Sequence, residues 1–271
     1  MTYDIRQLQL HILNNLLAFD KMCKEHDLRY FIVAGTMLGA VRHKGFIPWD
    51  DDIDVGMPRP DYNRLMKHAK EWMQKPYEVV AYECDANYPL PFAKIQDADT
   101  TLIERQHLRY LGGVYIDVFP LDGMTGNTLK QAIHFARYFY YKKVLYFLCR
   151  DPYRHGHGPS SWIPLLCRKL YTLNAVQGII SRLQQEYDYD SSDYVADHDF
   201  GKRGVLPRTV YGTPTPIAFE NHEVNGIEQA DRYLAHLYGD YMTIPPENKQ
   251  HKHNFHLLDL KSGYRNFKQQ Q

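Results

Sequence analysis

The stretch FIPWDDDIDVGM, residues 46–57, sets four aspartates into the five positions 50–54 among apolar neighbours. From Asp50 to Val55 the residues alternate with period two, placing Asp50, Asp52 and Asp54 on one face and Asp51, Ile53 and Val55 on the other. This pattern predicts a strand with one apolar face, because a purely solvated acidic turn has no need of the interleaved Trp49, Ile53, Val55 and Met57. Aspartates two apart on a strand lie roughly 6–7 Å apart at Cα and point the same way. Without a counter-charge they resist ionising together. A bound divalent cation removes that cost, and hard oxygen donors favour Mg²⁺ or Mn²⁺. A calcium loop of the EF-hand type does not fit: counting from Asp50, the sixth position is Val55 rather than glycine and the twelfth is Asp61 rather than glutamate.

Working outward, Ile5, Leu8, Ile12, Leu16, Phe19 and Cys23 recur every three or four positions and predict an amphipathic scaffold helix over 4–26. YFIVAG (30–35) reads as a short strand ended by glycine, and TMLGAVRH as a brief helix with Thr36 near its start. PDYNRLMKHAKEWM (60–73) reads as a helix with Pro60 in its first turn. YEVVAYE (77–83), FAKIQDADTTLIE (92–104) and GGVYIDVFPLD (113–122) read as strands. Residues 128–150 and 161–187 are helical and aromatic, 191–218 reads as a long Gly-, Pro- and Thr-containing loop, and 227–239 closes as a helix stopped by Gly239. The order predicts an α+β fold: one domain over 1–271, with a mixed sheet flanked by helices and a helical subdomain at about 125–190.

The whole chain narrows the chemistry. Its 271 residues carry 32 Lys plus Arg against 32 Asp plus Glu, so no overall field draws in nucleic acid. The N-terminal stretch lacks signal-peptide character, and no segment approaches the roughly 20 apolar residues that span a bilayer. A cytoplasmic protein is expected. The four cysteines, Cys23, Cys84, Cys149 and Cys167, are too scattered for a zinc ribbon and read as small core residues.

Gly35 and Thr36 stand between strand and helix, where backbone N–H groups bind phosphate and glycine permits close approach. With an Asp-x-Asp strand sixteen residues after Thr36, this order is similar to the DNA polymerase beta superfamily of nucleotidyltransferases. That resemblance implies a third carboxylate from a neighbouring strand. Asp117 in VYIDVFPLDG is the candidate; pairing with a lysine or capping a turn is its alternative role. Asp122, followed by glycine, is read as shaping a turn.

GTMLGAVRHKGFIPWDDDIDVGMPRPDY, with FAKIQDADTT, GVYIDVFPLDG and YGDYMTIPPENKQHKHNF, resembles the LicD family of bacterial phosphotransferases, relatives of the fukutin-type transferases. The matches run from Phe31 to Phe255. In the last segment Gln250 replaces the family's commoner arginine, and Lys252 separates His251 from His253. The resemblance implies transfer of phosphocholine from CDP-choline to a hydroxyl of a cell-surface glycan precursor (teichoic acid, capsule or lipopolysaccharide), with release of CMP. Asp52 and Asp54 are then expected to hold Mg²⁺ (or Mn²⁺), Asp50 to assist, and Asp117 to complete the metal site or act as base. Gly35 and Thr36 are expected to hold diphosphate oxygens, with Arg42, Lys44 and Lys94 as charge partners and Lys249 and His253 near the nucleotide.

A quaternary ammonium calls for an aromatic cage, which composition does not locate. The family's acceptors are often lipid-linked, which implies peripheral contact with the inner face of a membrane. The aromatic and basic HFARYFYYKKVLYFLCR (134–150) is the segment suited to it, although such a stripe is more often core. Three rival readings are transfer of glycerol or ribitol phosphate from its CDP donor, a true nucleotidyltransferase releasing pyrophosphate, and a non-enzymatic binding module. The intact Asp52, Asp54 and Asp117 set argues against the last.

Overall fold

Helix formation begins at Asp4, whose carboxylate accepts the backbone N–H groups of Arg6 and Gln7 and so caps α1 (Ile5–Glu25). The computed structural model describes residues 3–104, 111–250 and 255–267. In it the three-to-four-residue repeat of α1 becomes core, with Leu8, Ile12, Leu16, Phe19 and Cys23 all buried. β1 (Phe31–Ile32) turns at once into α2 (Ala34–His43), which ends on Lys44 in the left-handed region. β2 (Asp54–Pro58) leads into α3 (Arg59–Lys67), with Pro60 in the first turn, and then α4 (Ala69–Trp72).

β3 (Tyr77–Val80), β4 (Ala93–Ile103) and β5 (Gly112–Met124) follow. Three helices come next: α5 (Thr128–Cys149), capped by the Asn127 side chain, α6 (Pro159–Leu170) and α7 (Leu173–Gln184). The chain returns through β6 (Tyr194–Asp197), a 3₁₀ segment, β7 (Val205–Pro207) and α8 (Arg208–Tyr211). The hairpin of β8 (Thr215–Phe219) and β9 (His222–Gly226), α9 (Ala230–Tyr238) and β10 (Leu257–Asp259) complete it.

The main sheet runs β1-β2-β5-β4-β10, with β3 also on β4, β6 on the far half of β5 and β7 on β6. β2 and β5 are parallel and the other described pairs antiparallel, so the sheet is mixed, flanked by helices as the α+β expectation requires. β5 is the spine of the sheet: Asp117 pairs with Asp54 of β2 on one side and with Lys94 of β4 on the other. A bulge between Asp97 and Leu102 lets β4 bend against β5. Gly113 makes this possible, since a Cβ there would sit 1.8 Å from the Asp97 carbonyl oxygen.

Two expectations need correction. The strand foreseen from Asp50 begins its ladder only at Asp54, and residues 50–53 are an extended loop before it. The alternation survives nevertheless: Asp51, Ile53 and Val55 are buried, whereas Asp50, Asp52 and Asp54 are partly exposed. The second correction concerns 191–218, which is not a long loop. It holds β6, β7, α8 and most of β8, elements of three to five residues that are too short to show a hydrophobic period.

α5 and α7 share an apolar cluster of Tyr138, Val144, Leu145, Val176 and Ile180. Gln177 donates to the carbonyl oxygens of Tyr88 and Leu90 at 2.9 and 3.0 Å, tying α7 to the loop before β4. All four cysteines are free thiols; Cys23 is buried and the others partly so. Among the described residues, no helix is long and apolar enough to cross a membrane.

Candidate active site

The parallel pairing of β2 with β5, and the antiparallel pairing of β5 with β4, set Asp54, Asp117 and Lys94 side by side on one face of the sheet. Lys94, only 1 % exposed, brings Nζ to 2.8 Å from Asp117 Oδ1 and to 3.0 Å from the centre of the Tyr115 ring. Tyr115 in turn donates its hydroxyl to Glu104 Oε2 at 3.0 Å. The lysine pairing foreseen as Asp117's alternative role is thus present within the cluster.

Among the described residues, Asp54 and Asp117 thus stand beside one buried ammonium. Burial raises the Asp54 carboxyl well above the ordinary range, and the negative charges of Asp52, Asp117, Asp50 and Asp197 raise it further. Asp117 is pushed up to about 6, chiefly by burial; Lys94 opposes the shift, while Asp52 and Glu104 add to it. The donors are hard oxygens that raise one another's pKa, a set that fits a divalent cation. Among the described residues, no three His, Cys, Asp or Glu side chains already converge on one metal position, so the fit lies in donor chemistry and charge rather than in a preformed cage.

The acidic loop is held by Gln9, which the sequence reading placed in the scaffold helix, and by Tyr3, which precedes that helix. Gln9 of α1 donates Nε2 to the Asp50 carbonyl oxygen at 2.9 Å, and Tyr3 donates its hydroxyl to Asp51 Oδ2 at 2.5 Å. Thr36 Oγ1 accepts the backbone N–H of Asp54 at 2.8 Å, which fixes the start of β2 against α2 and leaves the threonine's own O–H to donate. Gly35 lets the acidic loop pack close: a Cβ there would sit 3.1 Å from Asp50 Oδ2. Beside it, Ala34 has φ +50° and donates its N–H to the Tyr233 hydroxyl at 3.0 Å, so the turn carries local strain held by α9.

The remaining foreseen cations are placed differently. Arg42 directs Nη1 at the Tyr241 carbonyl oxygen, 2.9 Å away, and so fastens the segment after α9 to α2. Lys44 is exposed at the end of α2, and Lys249 is exposed in a 3₁₀ turn. His253 lies outside the described residues.

Residue spacing missed two groups. Asp197, at the end of β6, is 2 % exposed, with Oδ2 making no hydrogen bond; burial, followed by Asp199, pushes it up to about 7. Its charge reaches Asp54. Its only local signal is its place at the end of the short apolar run 194–196. The second group centres on Asp122, which is not a turn former. Fully buried, it accepts from Arg59 Nε at 2.5 Å and Nη2 at 3.0 Å, and it lies 3.3 Å from His198 Nδ1. His198 and His134 share a hydrogen bond between Nε2 atoms at 2.9 Å, and His134 Nδ1 meets Glu186 at 2.9 Å. This polar chain fastens α5 to the sheet. Burial and Arg59 act oppositely on Asp122, and Arg59 with His198 prevails, holding the carboxyl below its ordinary value.

The site lies largely within a recognised sequence unit. Residues 27–151 match the family model described as the LicD/FKTN/FKRP nucleotidyltransferase domain, which takes in Gly35, Thr36, the Asp50–Asp54 loop, Lys94 and Asp117. The chain is 28 % identical over 259 residues to the lipopolysaccharide cholinephosphotransferase LicD of Haemophilus influenzae, covering 92 % of this chain and 96 % of that one. It is also 28 % identical over 153 residues to an uncharacterised protein of Rickettsia prowazekii, covering 55 % of this chain and 50 % of that one. The chain thus carries, over residues 27–151, a segment that matches the LicD/FKTN/FKRP nucleotidyltransferase domain, and it is similar nearly end to end to one LicD protein.

Proposed function

We propose that the protein transfers phosphocholine from CDP-choline to a hydroxyl of a cell-surface glycan precursor and releases CMP. The observation that carries this reading is the face where, among the described residues, the carboxylates of Asp54 and Asp117 stand beside the buried ammonium of Lys94. Similarity over nearly the full length of a lipopolysaccharide cholinephosphotransferase supports the same choice and favours lipopolysaccharide as acceptor over teichoic acid or capsule.

Asp52, Asp54 and Asp117, assisted by Asp50, would hold Mg²⁺ or Mn²⁺, which supplies charge neutralisation on the donor's diphosphate. Gly35 leaves room for a phosphate oxygen at the start of α2, and the Thr36 hydroxyl donates to it. The acceptor oxygen attacks the phosphorus bearing choline, its proton passes to Asp117, and the bond to the bridging oxygen breaks so that CMP leaves with that oxygen. Lys94 keeps Asp117 oriented and offsets charge during the transfer. Exposed Lys44 and Lys249, with His253, are assigned to the nucleotide, and Arg42 to holding the segment after α9.

The test incubates purified protein and Mg²⁺ with CDP-choline, CDP-glycerol or CDP-ribitol and a membrane glycan extract. CMP release from CDP-choline in preference to the others is expected. Preference for another CDP-alcohol would replace the donor, and pyrophosphate from CTP would overturn the reaction class.

A further inference from the structure

Helix α6 is built inside out. Along PSSWIPLLCRKL the buried positions are Ser161 and Pro164, whereas Trp162, Ile163, Leu166 and Leu170 are 66, 56, 55 and 64 % exposed. At 100° per residue these four, with Leu165, form one continuous outward face that includes Lys169. A helix that buries its small residues and presents its largest apolar ones has a partner outside the chain. The neighbouring α5 adds exposed Leu129, Ile133 and Tyr140 at i, i+4 and i+11, and a 2.9 Å bond between the Tyr140 and Tyr171 hydroxyls joins it to the end of α6.

Charge identifies the partner. Residues 123–185 contain nine Lys and Arg and a single acidic residue, Asp151, in a chain whose total balance is 32 against 32. Arg137 and Lys142 are paired with Glu186 and Asp199, which lie outside this segment, and Arg150 is buried, but the exposed Lys130, Lys143, Arg168, Lys169 and Arg182 keep the surface of this segment positive. An apolar face carrying tryptophan and flanked by lysine and arginine is the composition of a helix lying in a bilayer interface, where long basic side chains reach the headgroups. We propose that the outward face of α6, flanked by the basic surface of α5 and α7, docks the protein onto an anionic lipid bilayer. The helix lies on the membrane without spanning it. The aromatic stripe of α5 is the less suited element, since His134, Phe135, Tyr138, Val144 and Leu145 within it are buried.

The test is co-sedimentation of the full-length protein with vesicles of phosphatidylcholine alone or phosphatidylcholine with phosphatidylglycerol, alongside sedimentation velocity without lipid. Binding to the anionic vesicles, weakened about tenfold by raised salt, is expected, with little binding to neutral ones. Trp162→Ser, Leu166→Ser and Leu170→Ser together should lower partitioning at least about tenfold, and Lys169→Glu by a smaller factor. Both variants alter exposed positions, and circular dichroism checks that they fold. Equal partitioning of wild type and triple variant would overturn the proposal. So would a wild-type dimer that the triple variant dissociates with no vesicle binding by either, because the face would then be an interface between copies.

Discussion

Asp117 and Asp122 lie five residues apart on β5, the first partly and the second fully buried, and their charges are met in opposite ways. Asp122 has a buried arginine in two-point contact and a histidine behind it, and its carboxyl is held below the ordinary range. Asp117 shares one lysine with a crowd of carboxylates and is pushed up to about 6. A charge resolved within the protein belongs to the fold, whereas a charge left unresolved belongs to something the protein binds. Residual stability cost at a site that needs a cation or substrate to settle it is a general mark of function.

The sharpest way to break this comparison is to neutralise one member of each cluster. Asp54→Asn or Asp52→Ala should lower CMP release at least about a thousandfold while leaving stability unchanged or improved, because each relieves like-charge repulsion. Retention of Mg²⁺-dependent turnover by either variant would remove that residue from the mechanism. Arg59→Ala should do the reverse, costing about 3–5 kcal/mol in denaturant unfolding by leaving Asp122 as an uncompensated buried anion. A loss under about 1 kcal/mol would show that the Arg59–Asp122 pair is not what holds this part of the sheet.

Asp197 sharpens the same contrast through pH. Its folded pKa of about 7 lies above the ordinary 3.8, so the native state holds an extra proton between these values. Stability should therefore fall as pH rises through that window and level off above it. Asp197→Asn removes this term, and the difference between wild type and variant in EDTA should grow by about 3–4 kcal/mol from pH 4 to pH 8. A constant difference would show that burial does not hold the Asp197 proton. The smallest effect is expected from Thr36→Val, which leaves the Asp54 N–H without its acceptor; about 1–2 kcal/mol of stability and roughly tenfold in turnover should be lost. Unchanged values would show that β2 needs no tether to α2.

Much of this architecture was legible in the chain. The α1 repeat and the Asp50–Val55 alternation are periodic signals, and burial follows both even where the ladder starts four residues later than the alternation. The register that brings Lys94 and Asp54 to Asp117 was not legible, because it depends on a bulge and on pairing between strands far apart in sequence. Asp122 looked like a turn residue beside glycine, since its arginine stands 63 positions away and local spacing carries no trace of it. Asp197 was hidden in a segment whose Gly, Pro and Thr content masked strands of only three to five residues. Gln9 and Tyr3 hold the acidic loop through single hydrogen bonds across the fold, contacts that composition and periodicity do not encode.

The most direct measurement is thermal unfolding of wild type and Asp54→Asn at neutral pH, each with EDTA and with a Mn²⁺ titration. Without metal the asparagine variant should melt above wild type; Mn²⁺ should then raise the wild-type midpoint and leave the variant nearly unmoved. A wild type indifferent to Mn²⁺, together with a variant that melts lower in EDTA, would contradict the claim that these carboxylates await a divalent cation.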